Sequence, residues 1–310
     1  MYKQLLDKII EFDKITIFRH QRPDGDAVFS ALSVYQFIKD NFKDKTIKVA
    51  GNDDFDLINK KDKISDKFIK ESLAIVVDTS KADRVDDDRF ATAKYIVKID
   101  HHINVDDFAD LNIVKDHAAS CTEVLSDIFF SNTFKKYELS AKTCEYLYCG
   151  LMLDSIKLTT SNTSYHSIEV AAKLVKKGNL DVSGLINYLF DINSNEFNKA
   201  TKLRSYFKIE GKFGYIMLSE KDLKKLDMTP NEAKNFINEI GNIKDINIWA
   251  LLVEDNGVYN ASLRSKKQYP INKIAEKYHG GGHASACGVK NLTRSSIKTL
   301  FSKLIEISTK

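Results

Sequence analysis

Long apolar runs are missing from this chain. No stretch approaches the ~20 apolar residues that a membrane-spanning helix needs. The first 18 residues, MYKQLLDKIIEFDKITIF, scatter charges through the apolar positions, so no secretory h-region forms. Both absences point to a cytoplasmic protein without membrane attachment. Cysteine is sparse too: Cys121, Cys144, Cys149 and Cys287 have no CxxC spacing. That excludes the disulfide framework of a small secreted domain and leaves four reduced packing residues. Proline occurs 3 times and glycine 13 times, so glycines that cluster do so for backbone geometry or close ligand approach. One such cluster lies near the C-terminus. Repeats and low-complexity segments are absent, and Asp86, Asp87 and Asp88 form only a short acidic turn.

What is present is a globular composition, 43% hydrophobic and 29% charged, over 310 residues. It excludes disorder and matches two domains of roughly 100 to 200 residues each. The 47 basic and 43 acidic residues are unevenly spread, with 10 Lys/Arg and 2 Asp/Glu between 261 and 310. An acidic body beside a basic end suits cations in one place and phosphates in another, and a solvated basic helix gives the same charge.

The N-terminal half alternates short β-branched runs with longer helical periods. Residues 15–19, 46–50, 73–77, 95–99 and 112–114 read as buried strands, and Val28, Ala31, Leu32, Tyr35 and Ile38 fall on one helix face. Further helices are expected over 122–134, 140–152 and 166–177. The rhythm predicts an α/β fold with a Rossmann-like parallel sheet, whose ligands bind at the carboxyl ends of strands. Around 191–203 the polar run DINSNEFNKATKL reads as a linker. It would separate a catalytic domain, 1–190, from a smaller α/β domain, 204–310. The latter should contain a hairpin at 206–219, a helix after Pro230, strands at 246–253 and 257–263, and two final helices.

The chemistry gathers at strand ends. His20, Asp24 and Asp26 stand in HQRPDGDA directly after the first strand, where Pro23 stiffens the loop and Gly25 lets it turn. Such a set offers oxygens and an imidazole to Mn²⁺, Fe²⁺, Co²⁺ or Zn²⁺. Helix capping by Asp24 and Asp26 explains this motif alone equally well. The strand LAIVV, however, ends in Asp78, the strand YIVKI in Asp100, His101 and His102, and the helix GLMLDS adds Asp154. His20, Asp24, Asp26, Asp78, His101 and Asp154 make six donors. That is enough for two metals if one carboxylate bridges and water fills the remaining positions.

The pattern HxxxDxD, a strand-terminal Asp, the Asp-His-His triplet and a later Asp closely resembles the DHH phosphoesterase superfamily over nearly the whole chain. SLRS at 262–265 and GGGHASACG at 280–288 resemble the DHH-associated domain of nanoRNase/pAp phosphatases. The resemblance implies an active site in the cleft between two domains and two divalent ions, Mn²⁺ by preference. His20 and Asp24 would hold one ion, Asp26, His101 and Asp154 the other, with Asp78 bridging. His102 would face the substrate phosphate and Asp100 would orient a ligand. Arg264 and His283, with the backbone of Gly280, Gly281 and Gly282, would hold a phosphate. Implied substrates are short 5'-phosphorylated oligonucleotides, di- to pentamers, and the nucleotide bisphosphate 3'-phosphoadenosine 5'-phosphate. A homodimer is left open. Where relatives often carry Thr-Gly after the last Asp, this chain has Ser155 and Ile156. Competing readings are a manganese-dependent pyrophosphatase, which shares the N-terminal motifs, a phosphodiesterase of cyclic dinucleotides and their linear products, and a nucleic-acid binding module with a vestigial metal site.

Overall fold

A computed structural model describes residues 1–51, 61–241 and 243–310. The chain forms two compact units, Met1–Asp191 and Ile192–Lys310.

The first unit opens with an amphipathic helix, α1 (Tyr2–Glu11), which the sequence reading did not anticipate, because scattered charges hide its buried stripe of Leu5, Leu6 and Ile9. It then runs β1 (Lys14–Phe18), α2 (Gly25–Asn41), β2 (Thr46–Val49), α3 (Asp66–Lys70), β3 (Leu73–Val77), β4 (Tyr95–Asp100) and β5 (Leu111–Val114). Four helices follow: α4 (Cys121–Phe130), α5 (Ala141–Asp154), α6 (Tyr165–Gly178) and α7 (Val182–Phe190). The five strands, all parallel, lie in the order β2-β1-β3-β4-β5. A parallel sheet covered on both faces needs apolar side chains on both, which is why LAIVV of β3 is buried throughout. One core packs the sheet against α1, α2, α4 and α5, and a smaller one around Phe18, Ile69, Val76 and Phe90 covers the other face. The order places β1 and β3 side by side while their connections leave in opposite directions. This is the switch point where doubly wound sheets bind ligands. Helix α4 ends at Phe130, short of the expected 134, where Ser131 Oγ turns back to donate to the Ile128 carbonyl at 2.6 Å. Such local bonds compete with helix continuation.

The second unit contains α8 (Ser194–Arg204), β6 (Lys208–Glu210), β7 (Phe213–Leu218), α9 (Glu220–Leu226), α10 (Pro230–Lys234), β8 (Ile248–Asp255), β9 (Val258–Ser265), α11 (Asn272–Glu276), β10 (Gly281–His283), β11 (Ala286–Leu292) and α12 (Arg294–Ser308). Its six strands follow the order β10-β11-β9-β8-β7-β6. One face packs on α11 and α12 and the other on α8, α9 and α10. Much of the polar run 191–203 is helical, because Asn193 and Glu196 form a reciprocal capping box that nucleates α8. In the glycine cluster, Gly281, Gly282 and His283 pair antiparallel with Gly288, Cys287 and Ala286, so the last two helices are separated by a hairpin. Among the described residues no helix is long and apolar enough to cross a membrane.

Candidate metal centre

The carboxyl ends of β1, β3 and β4 carry His20, Asp78 and the pair His101–His102, and the N-terminus of α2 and the C-terminus of α5 add Asp24, Asp26 and Asp154. The His20 loop is fixed from outside: Gln21 N donates to Arg84 O at 2.8 Å and Asp86 N to Arg19 O at 2.9 Å. Asp24 does cap α2, accepting from Ala27 N at 3.1 Å, yet its side chain remains 62% exposed and Oδ1 lies 3.8 Å from His20 Nε2. Capping and membership of the cluster are therefore compatible.

Two glycines let the helices close on the site. A Cβ on Gly25 would stand 2.2 Å from Leu153 Cδ1, so glycine lets α2 begin against the end of α5, next to Asp154, without displacing the Leu153 side chain. A Cβ on Gly150 would stand 2.4 Å from Thr122 Cγ2 and 3.0 Å from Asp26 Oδ1. Asp26 itself is buried at the N-terminus of α4. It accepts from Cys121 N at 2.5 Å, Thr122 N at 3.1 Å and Thr122 Oγ1 at 2.8 Å. Exposed N–H groups and the helix dipole both favour a carboxylate there.

Asp78 sits at the centre in a left-handed conformation, φ +51°, with its N–H given to Ile99 O at 2.9 Å. Its Oδ2 lies 3.5 Å from His20 Nε2, and its Oδ1 lies 3.5 Å from both His101 Nε2 and His102 Nδ1. His101 Nε2 is also 3.6 Å from Asp154 Oδ2 and 3.9 Å from Asp26 Oδ2. Donor atoms of His20, Asp24 and Asp78 lie within 4.8 Å of one another, as do those of Asp26, His101 and Asp154, and those of Asp78, His101 and His102.

Both imidazoles are oriented for ligation. His20 Nδ1 meets the Gln21 carbonyl at 2.9 Å and His101 Nδ1 the Ala118 carbonyl at 3.2 Å. A carbonyl only accepts, so each Nδ1 carries the proton and each Nε2 faces the carboxylates, the usual arrangement of a metal-binding histidine. Asp78 Oδ1 is buried with no hydrogen-bond partner, an expensive state for a carboxylate unless a cation answers it. The charges respond accordingly. Burial alone would lower His20, but Asp24 and Asp78 outweigh it and push it up to about 11, and His101 is raised likewise. Burial raises Asp26, helped by Asp78 and Asp154, and lifts Asp154 to about 7. Burial opposes ionisation of Asp78 as well, yet His101 and His20 hold it well below the carboxylate range. Protonation of the imidazoles and of the raised carboxyls answers the crowding when no cation is bound, and an oxygen-rich set with two Nε2 donors fits divalent transition ions. The residues present therefore fit a metal.

His102 stands beside this group with its Nδ1 2.8 Å from Asp100 Oδ1, which also accepts from the His101 and His102 N–H groups at 2.9 and 3.3 Å. In the second unit, Arg264 of β9 and His283 of β10 both pair with Ala286 of β11, one on each side, so the two lie on one rung of the sheet. The Arg264 side chain is partly buried and Nη1 donates to Leu263 O at 3.0 Å. Burial lowers its pKa, and among the described residues no carboxylate forms an ion pair with it. Gly282 has φ +136°, and a Cβ there would stand 2.3 Å from Ala286 O. As the outermost strand, β10 leaves alternate backbone groups of Gly281–His283 without a neighbouring strand.

Two supporting features escaped the sequence reading. Thr122, which fixes Asp26, had a signal in the S-C-T-E run at 120–123, a capping signature whose Ser120 accepts from Glu123 N at 3.0 Å. Lys98, fully buried in β4, had a signal as the one charge inside the apolar run YIVKI.

The model of the DHH family, N-terminal domain, matches residues 14–151, and that of the DHHA1 domain matches 211–308. The chain is 32% identical over 311 residues to a probable bifunctional oligoribonuclease and PAP phosphatase NrnA of Streptococcus mutans, covering 98% of this chain and 97% of that protein. It is 31% identical to the bifunctional oligoribonuclease and PAP phosphatase NrnA of Mycoplasma genitalium, over 98% and 96% of the two chains. A solved exopolyphosphatase-related protein from Bacteroides fragilis superposes with a TM-score of 0.87 at 24% identity, covering 98% of this chain and 95% of that one. This last likeness speaks to the fold alone.

Proposed function

The chain belongs to the DHH family, and on that premise we propose that it is a two-metal phosphoesterase that hydrolyses very short 5'-phosphorylated oligonucleotides and nucleotide bisphosphates such as 3'-phosphoadenosine 5'-phosphate. The relatives named as oligoribonuclease and PAP phosphatase support this choice of substrates. The observation that carries it is Asp78: a buried carboxylate with one unpartnered oxygen, faced by His20 on one side and His101 on the other. In this reading His20 and Asp24 would hold one divalent ion and Asp26, His101 and Asp154 a second, with Asp78 shared between them. The ions, Mn²⁺ by donor set, supply Lewis-acid activation of water and stabilisation of the leaving oxygen when bound.

The protein's own contribution is positional. Thr122 and Cys121 N–H hold Asp26 in one rotamer, and the Gln21 and Ala118 carbonyls keep Nε2 of His20 and His101 turned toward the carboxylates. Asp100 holds the His102 ring through Nδ1, and in this reading His102 faces the substrate phosphate. In the second unit Arg264, a guanidinium without a carboxylate partner among the described residues, and His283 on the same rung receive a terminal phosphate. A planar guanidinium suits that task.

The test is a competition among substrates. Purified protein with Mn²⁺ is given pyrophosphate, 3'-phosphoadenosine 5'-phosphate, a 5'-phosphorylated diadenylate, a cyclic dinucleotide and a 24-mer, and kcat/KM is compared. The diadenylate and the bisphosphate should lead. A lead by pyrophosphate or by the cyclic compound would replace this reading with one of its competitors, and no turnover with any of them would leave a binding module.

A further inference from the structure

Lys98 is fully buried inside β4, an unusual place for an ammonium group. Along this strand Val97 and Ile99 enter the larger core and Ile96 the smaller one, so Lys98 and Asp100 lie on the face of Ile96. The side chain runs toward the carboxyl end of the sheet. There Nζ donates to Ser80 O at 3.0 Å, to Asp106 O at 3.0 Å and to Asn104 Oδ1 at 3.4 Å. Ser80 is two residues beyond Asp78, and Asn104 and Asp106 follow His101 and His102. One ammonium group thus spans the two loops that carry the central carboxylate and the histidine pair. Asp106 adds a parallel tie, accepting from Ala82 N through Oδ2 at 3.0 Å. Nζ is also 3.7 Å from Asp100 Oδ2, an oxygen with no hydrogen-bond partner. Asp100 is the residue that grips both N–H groups and the ring of the histidine pair.

From this we infer that Lys98 is a positioning residue of the metal centre: it clamps the Asp78–Ser80 loop to the His101–Asp106 loop and anchors Asp100, and so sets the spacing between Asp78 and His101. The inference rests on the metal-centre reading above. It does not depend on which phosphoester is the substrate. A cation with three carbonyl-type acceptors is fully satisfied, so its burial is tolerable. An apolar residue would fill the same volume and keep the sheet, but it would leave two loop carbonyls and Asp100 without their shared donor.

The experiment compares Lys98→Met with Ile96→Ala, a neighbour on the same face whose apolar side chain donates no hydrogen bond to either loop. Mn²⁺ binding to the metal-stripped protein is measured by calorimetry, and kcat and KM are measured on the diadenylate. Lys98→Met should weaken Mn²⁺ binding about 10- to 100-fold, the range for supporting groups around metal ligands. It should lower kcat at saturating metal and leave KM within about twofold. Ile96→Ala should lose stability and retain metal affinity. Equal metal affinity in Lys98→Met and the unaltered protein, or equal losses in both variants, overturns the inference. If Lys98→Met does not fold, Asp106→Ala severs the parallel tie from a partly exposed side chain. It should weaken Mn²⁺ binding roughly fivefold, the equivalent of one hydrogen bond, and an unchanged affinity is again fatal. A protein that binds Mn²⁺ with this pattern but turns over no phosphoester would refute the functional reading and leave Lys98 in its role.

Discussion

The two units solve opposite electrostatic problems. The first crowds Asp24, Asp26, Asp78 and Asp154 around two imidazoles, a set of donor atoms that could hold a cation. The second presents Arg264 on a strand interior with a backbone carbonyl as partner and, among the described residues, no carboxylate. One site is a surplus of donors to a cation, the other a shortage of anions around a cation. The means differ as well. In the first unit each donor stands at the end of an element, where the chain can turn a side chain inward. In the second the pairing register of β9, β11 and β10 brings Arg264 and His283 onto one rung. A centre built from element ends tolerates no loss of a shared donor, whereas residues placed by strand register should lose affinity one contact at a time.

The sharpest way to break that comparison is Asp78→Ala. Removing the one carboxylate that faces His20, His101 and His102 eliminates the link between the two groups of donors. Turnover should fall at least about a thousandfold, because metal-based charge stabilisation is worth several kcal/mol, and bound metal measured on the same sample should fall with it. Near-normal turnover with two ions retained would show that Asp78 bridges nothing. The first unit would then be no more interdependent than the second.

Arg264→Ala and His283→Ala probe the other side. Each should keep the metals and lose kcat/KM on nucleotides by roughly 10- to 150-fold, the value of one charge-assisted phosphate contact of ~1.5 to 3 kcal/mol. Bis(p-nitrophenyl) phosphate has no terminal phosphate to hold, so its hydrolysis should suffer much less. Equal losses on both substrates would show that these residues do not grip a substrate end.

The same contrast governs what the sequence made legible. Strands β1 to β5 were readable because a parallel sheet buried on both faces forces short β-branched runs, and their ends pointed to His20, Asp78 and the His101–His102 pair. The groups that hold those residues were not. Thr122 reaches Asp26 across 96 positions of sequence, and Lys98 takes its meaning from carbonyls on two separate loops, which no periodicity encodes. Helix α1 was hidden because its charges occupy the solvent face between buried leucines. In the second unit the edge strand β10 was not legible, since a three-residue strand of GGH has none of the β-branched side chains by which strands are recognised.

The smallest expected effect lies just behind Asp154. Ile156, Lys157 and Leu158 take left-handed φ values of 46°, 60° and 63°, a conformation that costs a side-chain-bearing residue about 1–2 kcal/mol. The run is held in place by Ser155, whose Oγ donates to Leu151 O at 2.5 Å and accepts from Leu158 N at 3.0 Å, and by the bond from Lys157 N to Met152 O at 2.8 Å. A glycine would adopt this conformation without strain, but Ile156, 37% exposed, would also give up the covered part of its side chain. Ile156→Ala gives up the same side chain and keeps the strain, so the two variants side by side isolate the backbone. Against the relief stands the extra freedom of glycine in the unfolded chain, roughly 0.5–1 kcal/mol. Ile156→Gly should therefore be more stable than Ile156→Ala by about 0.5–1 kcal/mol, a difference in Tm of roughly 1–4 °C for a unit of this size. If thermal denaturation shows Ile156→Gly melting no higher than Ile156→Ala, the left-handed run behind Asp154 stores no strain at this residue.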